Sequence, residues 1–515
     1  MLCVTVSRPR HRFTIAEYKA MAERGADLVE LRIDTLLTVV DFKRLLRERP
    51  CPAIITCRRP QEGGNYKRSE QERLILMRTA VFEKADYVDL EFDLAKQIRR
   101  YGPTKRIISY HNFKETPADL QAIYDEAAQL DPDIIKICTM ANNQEDNVRM
   151  LNLVKQAAIP TVGFCMGEFG IPSRVLCGAY GSPFTYCCPD AESSAAPGQI
   201  PFDFMKNLYQ FNEITERTPV YGVVADPVAH SMSPLIHNSA FAENEMDKVY
   251  LPFRVAPDQI DDFVNKIAPQ LKVRGLSVTI PHKESVIPLL DEPSPAVERI
   301  GACNTIVWKD GKKFGFNTDY QASMDAISGI FGWAEPLAIV KTDENPDGIC
   351  AEQPLAGKTA LILGAGGVGK ALAIGLKLRG AELVLADIDQ LRAESLAHKI
   401  GVRSIEWDKR GEIQPDLIVN CTPVGMHPNV DATPYDPAWL RIPAPGQTYG
   451  AFDCVYNPES TLFLKNAQKA NWKTATGLDM FVGQAKIQFE KFSECPAPVE
   501  VMRTAVKKAT SSQQW

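Results

Sequence analysis

The sequence predicts an α/β chain in two parts: a closed (β/α)8 barrel, then a two-lobed α/β region. Three observations predict it. Short apolar runs alternate with amphipathic stretches eight times between Met1 and Glu216. The pattern breaks at Glu216–Pro219, and a new α/β alternation begins at Val220. A Gly-x-Gly-x-x-Gly run later joins an apolar strand to a helix. The chain has 515 residues, more than one hydrophobic core organises, so several domains are expected.

In chain order the first runs are "LCVTV" from Leu2, "LVELRID" from Leu28, "AIITCR" from Ala53 and "YVDLEF" from Tyr87. Then come "RIISYHN" from Arg106, "DIIKICT" from Asp133, "TVGFCMG" from Thr161 and "VLCGAYGSPFTY" from Val175. Near-continuous apolar strands separated by helices make a parallel sheet covered by helices. Eight such units suit a closed barrel; the alternative is an open doubly wound sheet. The segment from Val220 to about Ile330 reads as a smaller α/β unit. Ala334–Gly357, rich in Pro, Asp, Glu and Gly, reads as a surface loop. A second α/β unit opens with "KTALILGAGGVGKALA" at Lys358, and a final helical segment begins near Gly477. The tail "TSSQQW" reads as frayed. The expected domains are residues 1–217, residues 218–330 joined by helices at 478–510, and residues 331–477.

Hydrophobic residues at 45% and charged residues at 24% are ordinary for a soluble globular chain. A net charge of −6 without a basic tract argues against nucleic acid as a partner. No window approaches the apolar length of a membrane span, and "MLCVTVSRPR" has no apolar signal core. A cytoplasmic protein with no membrane partner is expected; a plastid location would require a transit segment already removed. The 13 cysteines show no repeated spacing, so neither a metal site nor a disulfide framework is expected.

The chemistry of the first part centres on "PDIIKICTMAN". On a strand Ile134, Lys136 and Cys138 share one face, which puts an ammonium on an apolar wall. In a barrel, reacting groups gather at the C-terminal ends of the strands, and polar residues recur there: Glu30, Arg32, Arg58, Glu91, His111 and Lys136. Arg174 and Gln199 follow the last two strands. Burial lowers a lysine pKa, and a neutral amine can attack a ketone to form a Schiff base. His111 is the natural general acid/base, with Glu62 to orient it. Arg174, with Arg32 and Arg58 near it, could clamp a carboxylate.

The segments "VELRID", "TCRRPQEGG", "SYHNF", "DIIKICTMA", "GEFGIPSRV" and "APGQI" resemble type I 3-dehydroquinate dehydratase over Met1–Glu216. The resemblance implies that Lys136 forms an imine with 3-dehydroquinate, that His111 shuttles protons and that Glu62 supports it. It also implies substrate binding by Glu30, Arg32, Arg58, Arg174 and Gln199. One position departs from the family, which usually has serine where this chain has Ala195.

In the second part the cofactor-binding candidates are Gly364, Ala365, Gly366, Gly367, Val368 and Gly369, with Asp387 at the end of the next strand. Glycines at this place let backbone approach a pyrophosphate at a helix N-terminus. An acidic residue at the strand end accepts hydrogen bonds from ribose hydroxyls and repels a 2′-phosphate, so NAD is favoured and NADP is the alternative. Lys283 and Asp319 are a candidate proton-relay pair. The segments "GVVADPVAHSMSPLIHN", "VTIPHKE", "GACNTI", "NTD", "GAGGVGKA", "NCTPVGM", "YNP" and "GLDMFVGQA" resemble shikimate dehydrogenase over about Val220–Ala505. The resemblance implies Lys283 and Asp319 as the catalytic pair, and Ser231 and Ser233 as carboxylate binders. It further implies Thr279, Asn304, Tyr456 and Gln484 at the substrate hydroxyls, with Thr422 beside the cofactor. "DID" at Asp387 stands where NADP-dependent members usually carry Asn-Arg-Thr or Asn-Arg-Ser.

Together the halves resemble the bifunctional dehydratase–dehydrogenases of the shikimate pathway, an arrangement familiar from plants. The expected small molecules are 3-dehydroquinate, 3-dehydroshikimate and shikimate, with quinate as the alternative. One rival reading is an NAD-dependent quinate dehydrogenase fused to a dehydratase for catabolism. Another is an inactive metabolite sensor, which the intact Lys136, His111, Lys283 and Asp319 disfavour.

Overall fold

A computed structural model describes residues 1–335, 337, 339–340 and 349–512. They pack as two compact units, residues 1–234 with 245–274 and residues 235–244 with 275–515.

The first unit opens with eight parallel strands: β1 (Leu2–Val6), β2 (Leu28–Arg32), β3 (Ala53–Thr56), β4 (Tyr87–Glu91), β5 (Lys105–Asn112), β6 (Ile134–Met140), β7 (Thr161–Met166) and β8 (Thr185–Cys188). Between them run α1 (His11–Glu23), α2 (Phe42–Leu46), α3 (Glu70–Phe82), α4 (Phe92–Gln97), α5 (Leu120–Ala128), α6 (Gln144–Gln156) and α7 (Ile171–Leu176). Helices α3, α5 and α6 start where the sequence supplies a cap, whereas α1 begins after Arg10 without a side-chain cap. Ser69 and Glu72 form a capping box at α3, and Asp119 and Asn143 accept backbone N–H bonds at α5 and α6.

The eight strands follow one another in the order β7-β6-β5-β4-β3-β2-β1-β8, with the two-residue strand Ile200–Pro201 added beside β8, so the sheet pairing does not join β7 to β8. Side chains close what backbone pairing leaves open. One buried cluster takes Cys3, Leu28, Ile54, Ile107, Ile134, Val162 and Tyr186, with Tyr87 packed against it, so every strand contributes. Phe164 of β7 and Tyr186 of β8 lie 6.1 Å apart, ring to ring. The sheet has curled until its ends meet, as the barrel reading expects and an open sheet does not.

Seven of the eight strands fall where the apolar runs put them. The eighth does not. Val175 and Leu176 finish α7, Cys177–Tyr180 form a 3-10 turn, and the strand is Thr185–Cys188. Gly181, at φ +107°, and Pro183 break the run, so only its end extends as β-structure.

Beyond the barrel, Val220–Ala225 pairs in parallel with Val249–Arg254. Glu168, in the loop after β7, accepts from Val228 N at 2.9 Å and from Arg254 Nη1 at 3.0 Å. Gln144 Nε2 donates to Arg254 O at 2.9 Å.

In the second unit, Thr305–Lys309 pairs antiparallel with Gly275–Ser277 and with Lys312–Phe316. A second, parallel sheet follows. Its strands lie in the order Arg403–Ser404, Glu382–Ala386, Thr359–Leu363, Leu417–Asn420, Gly450–Asp453 and Lys473–Ala475. Counted along the chain this is 3-2-1-4-5-6, the order of a dinucleotide-binding Rossmann sheet. Helix Gly477–Ser493 starts at a capping box made by Thr476 and Asp479. It returns to pack on helix Thr318–Phe331, where a Cβ on Gly483 would come within 3.2 Å of Ala322. The segment expected as a surface loop includes a short antiparallel ribbon, Ile339–Val340 with Ile349–Cys350; its residues 336, 338 and 341–348 lie outside the described residues. The tail expected to fray is helical to Ser512, with residues 513–515 outside the described residues. Among the described residues no helix is long and apolar enough to cross a membrane.

Candidate active sites

The barrel floor is apolar, but two residues further along the strands the inward set is polar. Glu30, Asp89, Ser109 and Lys136 lie at this level, all buried. Eight of the barrel candidates line one cavity there: Glu30, Arg32, Arg58, Glu62, His111, Lys136, Arg174 and Gln199; Glu91 is not among the lining residues and pairs with Arg58 and Arg73.

Lys136 Nζ donates to Asp89 Oδ2 at 3.0 Å and lies 3.6 Å from Glu30 Oε1. Burial pulls its pKa down, but Asp89 and Glu30 outweigh burial and hold it above the usual lysine value. The expectation of a neutral resting amine is therefore corrected: the carboxylates keep Lys136 an ammonium. Asp89 is strongly acidic in turn. Burial raises its pKa, but Arg58 and Lys136 bring it well below the usual carboxylate range. Arg58 Nη2 lies 2.8 Å from Asp89, and Ser109 Oγ donates to Asp89 at 2.5 Å.

His111, at the upper end of β5, faces Glu62 Oε2 through Nδ1 at 3.1 Å. Burial first, then Arg58 and Lys136, hold its pKa well below the ordinary histidine value. That favours the neutral imidazole, with its Nε2 on the side away from Glu62.

The arginines divide by charge. Arg32 is held by Asp34 through two bonds of 2.9 and 2.8 Å, and Arg58 by Asp89 and by Glu91 at 3.0 Å. Arg174 has no carboxylate partner among the described residues. It lies over the Phe164 ring at 4.3 Å and donates to Pro197 O at 3.3 Å, while its Nε finds no partner among them. Burial lowers its pKa. A buried guanidinium without a counter-ion is a ready anion site. Gln199 spends its amide on the scaffold, with Nε2 donating to Thr5 Oγ1 at 3.2 Å and Oε1 accepting from Ala195 N at 2.8 Å.

Sequence reasoning missed Asp89 and Tyr186. Asp89 stands two residues before Glu91 on the same face of β4, the one signal that could have found it. Tyr186 lies under Lys136, whose Nζ is 4.1 Å from the ring centroid.

Ser231 and Ser233, in the first unit, follow Val220–Ala225; Ser231 N donates to Val228 O at 3.0 Å and Ser233 N to Ser231 Oγ at 3.3 Å. In the second unit Lys283 Nζ meets Asp319 Oδ2 at 2.7 Å. Asp319 sits in the first turn of Thr318–Phe331, where the helix dipole favours a carboxylate. Asn304 is buried and fixes that turn, accepting from Thr318 N at 2.7 Å and donating to Thr318 Oγ1 at 3.0 Å. Tyr456 stacks on Phe481 at 4.8 Å, Thr279 is half-buried, and Gln484 is buried in Gly477–Ser493.

At the glycine-rich turn, a Cβ on Gly369 would fall 2.0 Å from Gly364 O, and Gly364 itself has φ +101°. A Cβ on Gly366 or Gly367 would meet nothing within 4 Å, leaving open backbone at the helix start beside Ala365 and Val368. This fits a dinucleotide pyrophosphate. Asp387 Oδ2 accepts from Ala365 N at 2.6 Å and Oδ1 from Asp389 N at 2.8 Å. Thr422 lies beside Gly364 and donates to Asn420 Oδ1 at 2.7 Å. No cluster of His, Cys, Asp and Glu among the described residues could hold a metal ion.

Residues 2–216 match the family Type I 3-dehydroquinase, residues 223–306 the shikimate dehydrogenase substrate binding domain, and residues 477–507 the shikimate 5′-dehydrogenase C-terminal domain. A bifunctional 3-dehydroquinate dehydratase/shikimate dehydrogenase, chloroplastic, of Arabidopsis thaliana is 36% identical over 97% of this chain and 83% of its own length. A shikimate dehydrogenase (NADP(+)) of Oleidesulfovibrio alaskensis is 38% identical over 57% of this chain and 96% of its own. A solved shikimate 5-dehydrogenase from Thermus thermophilus, in complex with NADP(H) and shikimate, has 30% identity over 56% of this chain and 99% of that one, with a TM-score of 0.46. These relatives do not favour the quinate alternative. With curated similarity running through both halves, the chain belongs to the family of bifunctional 3-dehydroquinate dehydratase/shikimate dehydrogenases.

Proposed function

We propose that the barrel cavity converts 3-dehydroquinate to 3-dehydroshikimate through an imine on Lys136, and that the second region reduces this product to shikimate. The observation that carries the dehydratase half is Lys136 between Asp89 and Glu30, in one cavity with a neutral His111 and an unpaired Arg174. Arg174 draws in the substrate carboxylate. His111 takes the proton from Lys136, the freed amine attacks the ketone, and His111 returns that proton to the carbinolamine oxygen, which leaves as water and restores the neutral imidazole. Asp89 and Glu30, which balanced the ammonium, then balance the iminium cation. His111 removes the proton next to the iminium carbon and delivers a proton to the departing hydroxyl. Hydrolysis returns the lysine. Arg32, Arg58 and Gln199 hold the shape of the pocket around the substrate.

For the dehydrogenase, a bound nicotinamide dinucleotide supplies the hydride. The glycine turn Gly364–Gly369, Asp387 and Thr422 would hold it. Lys283 and Asp319 hand the proton to the substrate oxygen. Asn304 keeps Asp319 in position; Thr279, Tyr456 and Gln484 bind hydroxyls, and Ser231 and Ser233 the carboxylate. The domains on this reading are residues 1–217, 218–330 with 478–510, and 331–477. The relatives' names point to NADP. Asp387 supports NAD instead, because a carboxylate at the end of this strand accepts from ribose hydroxyls and repels a 2′-phosphate. Arg392 lies 4.0 Å from Asp387 and 3.4 Å from Asp389 and pairs with them. The free cysteines suit a reducing compartment such as the cytoplasm.

Initial rates with shikimate and quinate, each with NAD and with NADP, test this half. Shikimate with NAD should give the highest kcat/KM, and Asp387→Asn should raise kcat/KM with NADP by roughly 10-fold, the size of one lost charge contact. Better turnover of the unaltered chain with NADP would sink the reading of Asp387; better turnover of quinate would sink that of the substrate.

A further inference from the structure

We propose that Tyr186 is a substrate-binding residue of the dehydratase, its phenol donating a hydrogen bond to an oxygen of the molecule held at Lys136. The proposal rests on reading the barrel cavity as the dehydratase site. Tyr186 is only 3% exposed, and it lines the cavity that Lys136, Glu30 and Ala195 also line. Its ring is fixed from three sides. Phe184 lies edge-on at 5.5 Å, Phe164 at 6.1 Å, and Lys136 Nζ rests 4.1 Å from the centroid. All three contacts use the ring, and a phenylalanine would make them equally well.

The hydroxyl is what needs a reason. It is buried and has no hydrogen-bond partner among the described residues. A buried hydroxyl without a partner destabilises the fold, so its retention points to a partner that arrives with function. Burial, together with the nearby Glu30, keeps the phenol protonated far above its usual range. Tyr186 is therefore a donor and not a base, and it leaves the proton shuttling to His111.

The rest of the cavity lacks such a donor. Its other lining hydroxyl, Thr5 Oγ1, already donates to Glu30 at 3.0 Å and accepts from Gln199. Ala195 stands where the resemblance expects a serine, and its backbone N–H is spent on Gln199. Among the lining residues, Tyr186 carries the hydroxyl left for a ligand.

Tyr186→Phe in the full-length chain removes that hydroxyl alone. We expect kcat/KM for dehydration of 3-dehydroquinate to fall about 10-fold, as for one lost hydrogen bond to a bound substrate. The thermal midpoint should hold or rise, because an unpaired buried hydroxyl has gone, and the dehydrogenase rate should not change. A dehydration kcat/KM within about twofold of the unaltered chain would overturn the proposal. A loss accompanied by a lower midpoint and a slower dehydrogenase would also overturn it, by making the hydroxyl structural. If the unaltered chain does not dehydrate 3-dehydroquinate at all, the reading of the cavity fails and the proposal fails with it.

Discussion

Lys136→Ala removes dehydratase activity, by at least about 10⁴-fold in kcat, the scale on which loss of a covalent nucleophile acts. The dehydrogenase rate of the same preparation stays within about twofold, because Lys136 pairs with Asp89 and Glu30 while Lys283 pairs with Asp319. Two effects combine in this loss. Without the amine there is no imine, and hence no electron sink for removing the proton beside it. Asp89 and Glu30 also lose the cation between them, leaving buried carboxylates less balanced. The variant should therefore be less stable as well as inactive. Lys136→Met keeps more of the buried stem and separates the two effects: equally dead, with a smaller fall in thermal midpoint. Steady-state rates of both reactions, with a melting curve for each variant, check this. A collapse of both activities would mean that the two halves do not work independently.

Lys283→Ala and Asp319→Asn each lower shikimate dehydrogenase kcat by about 10²–10⁴-fold, the range of a positioned proton donor. Neither should change the melting point much. Their side chains are 26% and 16% exposed, and a partly solvated ion pair adds little to stability. Because the two act as a unit on one proton, the double variant should be scarcely slower than either single one. Strictly additive losses would indicate two separate roles and count against the relay.

Much of this was legible in the sequence. Seven of the eight barrel strands follow from apolar runs bounded by helix caps, because burial on both faces writes itself into consecutive residues. The glycine turn and Asp387 were legible because backbone chemistry forces particular residues at particular spacings. The eighth strand was misplaced because an apolar helix end and an apolar strand read alike over a few residues. The charge state of Lys136 was misjudged for a different reason. Burial is visible from the pattern of β6, but Asp89 comes from β4, two strands away in the barrel, and no local pattern joins them. The same limit hid the split among the arginines. Arg32, Arg58 and Arg174 look alike in a sequence, and only their neighbours leave Arg174 without a carboxylate among the described residues.

The central claim is the covalent imine. Borohydride added to the full-length chain with 3-dehydroquinate, followed by peptide mass analysis, tests it directly. Expected is a reduced substrate adduct on the peptide carrying Lys136, with dehydratase activity lost in proportion and the dehydrogenase rate retained. Full dehydratase activity after the treatment, with no adduct on Lys136, would contradict it.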